Sequence, residues 1–501
     1  MNKSELKIGA MLSYFLITVN SIYGLIVTPF ILSTIGTSEY GVYKTIAALS
    51  ASISVLDLGI GGTVQRYIAK FNIENKRKEI ENFSAMAILQ GIFFSVMIII
   101  AGIFLYISID SLYGNTFNNE QLIRAKELMV LLLVNMVLIV FENIIIGIIS
   151  GMNKFIFTNS VKLVSIISRI LLLFVFLPIF NNSITIVALT LFLEALVLLV
   201  EIFYVIKILN TKIKYHFWDM IIFKESFKYT IFLFIQSVMS QVNMNLDNIV
   251  IGSIIGPDAV TVYSVGILIF NMFQQLSTAI SNLMLPTTTL IIAKGATSRD
   301  LENFVIRVGR LQFLLLGAAT LGFIILGKEF ILLWMGKGFN DAWIITVILI
   351  IPALFELSQN VCLSVLRAKN KLGFRTLVIG MSTILNLFIT IVGTKYFGYY
   401  AAALGTSLST IIGSLVIMNI YYLKRFNINA IYIFRNIFKK IFLCQLLPCI
   451  SLIIFNMYIY NSWKALVFKM ILYCLIYLFL LYFYGFNNEE KKFFKLKELG
   501  K

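Results

Sequence analysis

Long apolar runs, separated by short polar stretches, occupy nearly the whole chain. Fourteen are long enough to cross a bilayer: residues 8–34, 41–69, 82–108, 125–150, 156–180, 184–208, 229–255, 258–289, 303–333, 343–366, 372–396, 399–423, 435–459 and 463–485. Each exceeds the roughly 20 residues that a spanning helix needs. The pattern predicts an all-α polytopic membrane protein of about 14 transmembrane helices. Segments 7 and 8, from Tyr229 to Pro286, also carry polar residues at helical spacing. Gln236, Ser240, Asn243 and Asp247 recur at +4, +7 and +11, with Ser237, Gln241, Met244 and Asn248 in the adjacent row. Asn271, Gln274, Thr278 and Ser281 recur at +3, +7 and +10. Each set follows one helix face. Hydrocarbon offers no hydrogen-bond partners, so these faces are expected to point into a bundle or a water-filled cavity. Interhelical hydrogen bonding, at about 0.6–2 kcal/mol per contact, is the alternative; the length of the stripe favours a cavity.

The chain repeats itself. Ile35-Gly36 through Val42-Tyr43 matches Ile255-Gly256 through Val262-Tyr263 at an offset of 220, and Phe141-Glu142 matches Phe355-Glu356. Asn153-Lys154 matches Asn370-Lys371, and Tyr204 with Lys207 matches Tyr421 with Lys424, at an offset of 217. Segments 1–6 and 7–12 thus read as two copies, and segments 13–14 as an addition. The domain boundaries follow: an N-terminal six-helix lobe (1–210), a cytoplasmic connecting loop (211–228), a C-terminal six-helix lobe (229–424), and two further helices with a basic tail (425–501). Six helices return the chain to the same side, so the copies are related about an axis along the membrane normal. The shift of 220 maps Ser240 and Gln241 onto Asn20 and Ser21, and Gln274, Ser277 and Ser281 onto Ser54, Asp57 and Gly61. Segments 1, 2, 7 and 8 therefore carry polar groups at related positions and are expected to line one central cleft.

Lys and Arg set the orientation. They cluster after segment 2, between segments 6 and 7, 10 and 11, and 12 and 13, and in the tail, while the alternate loops are poor in both. The positive-inside rule places both termini in the cytoplasm. Composition agrees: of 501 residues 59% are hydrophobic and only 13% charged, and the mean hydropathy is +0.92. The net charge of +17 resides in those loops, which argues against a nucleic-acid partner and for membrane lipids.

Charges inside the segments are few. Lys162 and Arg169 share a face of segment 5, and Glu194 and Glu201 a face of segment 6. At ~1.5 Å per residue, Arg169 and Glu194 reach the same depth, as do Lys162 and Glu201. Two interhelical pairs are expected, with Asn386 and Ile411 near the corresponding positions of the second copy. Asp57, Glu142, Asp247 and Glu356 have no sequence-local partner. They are candidates for binding H⁺ or Na⁺ as a coupling ion, with a satisfied bundle contact as the alternative. Pro352 frees the carbonyl of Ile348, where a kink or a bound water is expected. Arg66, Arg307 and Arg310 lie near the cytoplasmic ends of segments 2 and 9. They could hold a diphosphate at the entrance or snorkel to lipid phosphates.

Other chemistry is absent. With a single histidine, His216, no His-based triad can be built. The four cysteines lie in apolar segments without metal-ligand spacing and read as buried thiols. The run Gly322 to Lys328 fits G-x-x-x-x-G-K, but Glu329 follows it and no strand precedes it, so it is no nucleotide site. No cofactor is implied beyond a coupling ion.

Ile35-Gly36-Thr37-Ser38-Glu39-Tyr40-Gly41, then Leu56-Asp57-Leu58-Gly59-Ile60 with Arg66 later in the same segment, resembles the start of bacterial polysaccharide-repeat flippases. So does Leu246-Asp247-Asn248-Ile249-Val250-Ile251-Gly252 before Gly256 and Val262-Tyr263. These are the Wzx-type members of the superfamily that includes MATE drug exporters and lipid II flippases. The resemblance implies a V-shaped, two-lobed transporter of the bacterial cytoplasmic membrane, with segments 1, 2, 7 and 8 bordering the cavity. It implies alternating-access translocation of an undecaprenyl-diphosphate-linked oligosaccharide, for O-antigen, capsule or exopolysaccharide synthesis, alongside a polysaccharide polymerase and chain-length machinery. The alternatives are a cation-coupled MATE-type drug exporter and, in another class, a membrane polymerase or glycosyltransferase. The short outer loops argue against an enzyme.

Overall fold

In the computed structural model the described residues are 3–53, 60–216, 220, 224, 227, 245–369, 371–439, 441–458, 462–487 and 491. All their regular structure is helical: α1 (Lys3–Ile53), α2 (Ile60–Ile73), α3 (Arg77–Tyr113), α4 (Asn119–Gly151), α5 (Phe155–Phe180), α6 (Ser183–Phe203), α7 (Pro257–Ala293), α8 (Ser298–Met335), α9 (Asn340–Ser358), α10 (Val361–Ala368), α11 (Gly373–Phe397), α12 (Tyr400–Thr410), α13 (Met418–Phe426), α14 (Ala430–Phe438), α15 (Ile441–Tyr458) and α16 (Trp463–Leu480). Residues 245–254 are also helical. Eleven helices among the described residues are long and apolar enough to cross a membrane, or twelve if the bent pair Ala430–Phe438 and Ile441–Asn456 is one span. The expected fourteen is not reached. Segment 7 lies largely outside the described residues, as do residues 54–59 of segment 2, and α1 runs on through Gly36.

Asparagine and glycine punctuate the helices. Gly36, inside α1, leaves the helical path at φ 80° and ψ 169°. Its repeat-related partner Gly256 also takes a positive φ, 121°. Such backbone is open to glycine and costly for other residues. Asn181 ends α5 in the left-handed conformation, and the next residue, Asn182, caps α6 by accepting from the Thr185 amide at 3.0 Å. Asn118 with Gln121, and Thr297 with Asp300, form capping boxes at the starts of α4 and α8, which satisfy otherwise orphaned amides.

The helices gather into two compact units, one of residues 1–261 and 390–399, the other of 262–389 and 400–501. In the first, α2 and α4 approach closely because Gly147 and Gly151 face them: a Cβ on Gly147 would lie 2.7 Å from the Gly61 carbonyl oxygen. Small residues one turn apart serve helix packing in lipid, where no hydrophobic force draws helices together. Outward faces are apolar: Phe104 is 70% exposed and Ile107 69%. On the same helix, Asn82, Gln90 and Ser95 point inward and are buried, the arrangement an apolar solvent demands.

In the second unit, α15 and α16 hook onto α8 through polar contacts. Gln445 Nε2 donates to the Phe313 carbonyl at 3.1 Å, and the Tyr477 and Tyr473 hydroxyls donate to those of Leu314 and Ala318 at 2.7 and 3.0 Å. Lys469 Nζ, fully buried, meets Glu329 Oε2 at 2.9 Å and Asn456 Oδ1 at 2.8 Å. The Ile348 carbonyl freed by Pro352 accepts from Ser407 Oγ at 2.7 Å, so a hydroxyl stands where a water was expected. Of the four free cysteines three are buried; Cys474 is exposed, against the expectation of four buried thiols, because it faces outward on α16 beside Ile471 and Leu475. Lys469→Met should destabilise the protein by about 3–5 kcal/mol by leaving Glu329 buried and unpaired. Thermal unfolding of the detergent-solubilised protein should show this, with most of the loss recovered when Glu329→Leu is added.

Candidate functional site

The polar residues of the membrane segments fall into three groups: buried and bonded, partly exposed, and buried without a partner. The stripe on α7 splits between the first two. Ser277 and Ser281 are buried and face Gln312 of α8. With the Gln312 amide oriented to satisfy all its partners, its oxygen accepts from both hydroxyls, at 3.2 and 2.8 Å, and its nitrogen donates to the Leu357 and Ser358 carbonyls. This half of the stripe joins helices. Asn271 and Gln274, on the same stripe of α7, are partly exposed and Thr278 is exposed. The Thr278 hydroxyl donates back to the Gln274 and Gln275 carbonyls at 3.2 and 3.1 Å.

In the first unit Asn20 is exposed. Asp247 is 4% exposed and accepts from Thr390 Oγ1 at 3.3 Å. Ser54, Asp57, Gln236, Ser240, Gln241 and Asn243 lie outside the described residues. Glu356 is partly exposed, accepts from the Ser414 hydroxyl and has Arg375 nearby.

The basic residues assigned to a diphosphate entrance do not act alike. Arg66 and Arg307 are exposed. Arg310 is 4% exposed, and its guanidinium donates to the carbonyls of Asn436, Lys439 and Gly485 at 3.3, 3.3 and 3.0 Å. Its expected role as a phosphate ligand is therefore corrected: its donors are committed to the chain ends around α14–α16, leaving no guanidinium face for an incoming anion.

The helix α5–α6 charges are brought together in part. Arg169 Nη2 donates to Glu194 Oε1 at 2.8 Å. The expected Lys162–Glu201 pair is not formed. Lys162 is exposed on α5, whereas Glu201 is fully buried and neither of its carboxyl oxygens has a hydrogen-bond partner among the described residues. Equal depth along two helices does not ensure that side chains face each other. Glu142 of α4 is buried at 9% exposure. In the second unit the corresponding helices are joined by a neutral contact, Asn386 Nδ2 to Thr406 Oγ1 at 3.2 Å. His216 is bound to α3, its ring meeting Glu81 at 2.9 Å and its amide Asn82 at 2.9 Å. The Gly322 to Lys328 run is helix interior within α8.

Sequence reasoning missed the buried Lys469–Glu329 pair and the Gln312 cluster. Both were legible as rare charged or amide side chains in apolar segments, but nothing in the spacing links α8 to α16 or pairs Gln312 with α7.

This arrangement of packed helices with internal polar clusters has the fold of integral-membrane transporters. The chain is similar over 94% of its length to a structure of the lipid II flippase MurJ in an inward-closed conformation, covering 97% of that chain at 17% identity with a TM-score of 0.74. It is similar to an inward-facing multidrug resistance MATE family transporter of the MOP superfamily (83% of this chain, 99% of that one, 16% identity, TM-score 0.66). A mutant of the Vibrio cholerae MATE transporter VcmN aligns over 86% of this chain and 99% of its own, at 14% identity and a TM-score of 0.58. No curated protein matches the sequence. The polysaccharide biosynthesis protein family model matches residues 9–292, and the chain belongs to that family.

Arg310→Ala should lower the unfolding temperature, since the carbonyls of Asn436, Lys439 and buried Gly485 lose their donor, whereas Arg307→Ala should leave it within about a degree or two, as exposed substitutions do.

Proposed function

We propose that this protein is a flippase. It moves undecaprenyl-diphosphate-linked oligosaccharide repeat units from the cytoplasmic to the outer leaflet of the bacterial cytoplasmic membrane, by alternating access, for synthesis of a surface polysaccharide such as O-antigen, capsule or exopolysaccharide. One combination carries the reading: membership of a polysaccharide biosynthesis family together with the fold of a lipid II flippase along 94% of the chain. The physical logic supports it. A sugar chain cannot enter hydrocarbon unaided, because its hydroxyls would lose their partners. Partly exposed amides and hydroxyls such as Asn271, Gln274 and Thr278 can replace water for the glycan while the polyprenyl tail stays in lipid. In this reading the protein is a transporter rather than an enzyme. Both termini are cytoplasmic, membrane lipids surround it, and its product passes to a polysaccharide polymerase and chain-length machinery.

The likeness to MATE transporters favours a second reading, export of cationic drugs. Against it, the available groups on α7 are neutral amides and hydroxyls rather than acids. Deletion of the gene, followed by mass analysis of polyprenyl-diphosphate-linked glycans, separates the readings. The flippase reading predicts build-up of completed repeat units with loss of surface polysaccharide. An unchanged lipid-linked pool with new sensitivity to cationic dyes would support the exporter. Incomplete or unpolymerised glycans would point to an enzyme.

A further inference from the structure

Lys44 stands in the second limb of α1, past the break at Gly36. At ~1.5 Å per residue it lies roughly 12 Å along the helix from that break, well inside the apolar segment. The residues that follow it, Thr45 and Ile46, are fully buried, whereas Tyr43 and Lys44 are partly exposed. The Lys44 ammonium lies over two tyrosine rings, 5.3 Å from the centroid of Tyr40 and 5.7 Å from that of Tyr43. The two rings are 6.1 Å apart, and Tyr40 is 2% exposed. Buried Tyr40 fixes the floor of this seat, and the partial exposure of Tyr43 and Lys44 leaves it accessible.

Among the described residues no carboxylate pairs with this ammonium. Glu39, little more than one turn earlier, is committed elsewhere: it accepts from Arg124 Nε at 3.2 Å and from both the amide and the hydroxyl of Ser183. Lys126 and Arg169 of the same unit have acids of their own, Asp110 at 2.6 Å and Glu194 at 2.8 Å. A tyrosine face attracts a cation without cancelling its charge, and a cation inside a membrane segment that lacks a counter-charge in the protein points to a ligand that supplies one. Snorkelling to lipid phosphate is the alternative. The sequence repeat argues against it. At the offset of 220, Tyr43 and Lys44 match Tyr263 and Ser264, which are 1% and 8% exposed. In the second copy this stretch is turned to protein and neutral; in the first it is partly open and cationic.

We infer that Lys44, seated on Tyr40 and Tyr43, binds an oxyanion of the transported molecule, either a phosphate of its diphosphate or the carboxylate of an acidic sugar. The inference rests on the flippase reading above and adds that the group passing Lys44 carries negative charge. The ring faces hold the ammonium without using up its three N–H donors, which remain for oxygen acceptors. A single point charge also releases an anion more readily than a bidentate guanidinium does, which suits a group that must be passed on.

The test is isothermal titration calorimetry of the purified protein in phosphatidylcholine nanodiscs, with geranyl diphosphate, an oligogalacturonate and geraniol as probes. Every headgroup of this lipid carries a phosphate, so a lysine that merely snorkels is already satisfied and confers no binding. The wild type should bind at least one of the two anions. Lys44→Met should weaken that binding about tenfold or more, the loss of one charge-assisted hydrogen bond, and Lys44→Arg should restore most of it. Geraniol should bind wild type and variants alike. Lys44→Gln, checked by gel filtration, replaces Lys44→Met where the latter does not fold. A loss confined to geranyl diphosphate assigns the site to the diphosphate, and one confined to the oligogalacturonate assigns it to an acidic sugar. Equal binding of both anions by wild type and Lys44→Met, no anion binding by the wild type, or an equal loss of geraniol would overturn the site. The measurement involves no transport, so the two readings fail separately. Lys44-dependent binding without glycan build-up on gene deletion refutes only the flippase, and build-up with Lys44-independent binding refutes only the anion site.

Discussion

Hydrocarbon provides no hydrogen-bond partners, and most of this structure can be read as the chain's answer to that constraint. Many polar side chains within the spans are buried and matched inside each unit. Gln312 takes up the hydroxyls of Ser277 and Ser281 together with two carbonyls of α9 and its end. Ser407 covers the carbonyl that Pro352 leaves open, and Lys469 neutralises Glu329 where the last two helices join the second unit. Apolar residues such as Phe104 and Ile107 face outward. Against this background of satisfied groups, the exceptions carry information. Glu201 is buried with oxygens that have no hydrogen-bond partner among the described residues, and Asn271 and Gln274 are left partly open.

The two copies have diverged at one informative place. α5 and α6 are joined by Arg169 and Glu194, while α11 and α12, at the repeat-related position, are joined by Asn386 and Thr406. An ionic contact can change with protonation, and a neutral one cannot. The charge in the second unit is found elsewhere, on α8 and α16, where it fastens the added helices. Gly36 and Gly256, aligned in sequence at an offset of 220, both take a positive φ.

The all-helical membrane fold was legible because hydrophobic run length is a direct consequence of bilayer thickness. The contact of Arg169 with Glu194 follows from depth alone, since a short loop fixes the relative height of α5 and α6. Lys162 shows the limit of that argument: depth says nothing about rotation, and its side chain turns outward while Glu201 stays inside. Arg310 was misread for a related reason. Its height near the helix end suggested an entrance, but the loops and helix ends that surround it come from residues more than a hundred positions later. The polar residues of 54–59 and 229–244 lie outside the described residues.

The central claim, that this chain carries a lipid-linked glycan across a bilayer, is tested most directly with the purified protein in liposomes. The liposomes contain a polyprenyl-diphosphate-linked oligosaccharide in both leaflets, and a membrane-impermeant glycosidase is added outside. The account predicts that vesicles containing the protein lose the whole glycan pool over time, while protein-free vesicles lose only the outer-leaflet share. If protein-containing vesicles protect their inner pool as fully as empty ones, with or without a pH gradient, the account is contradicted.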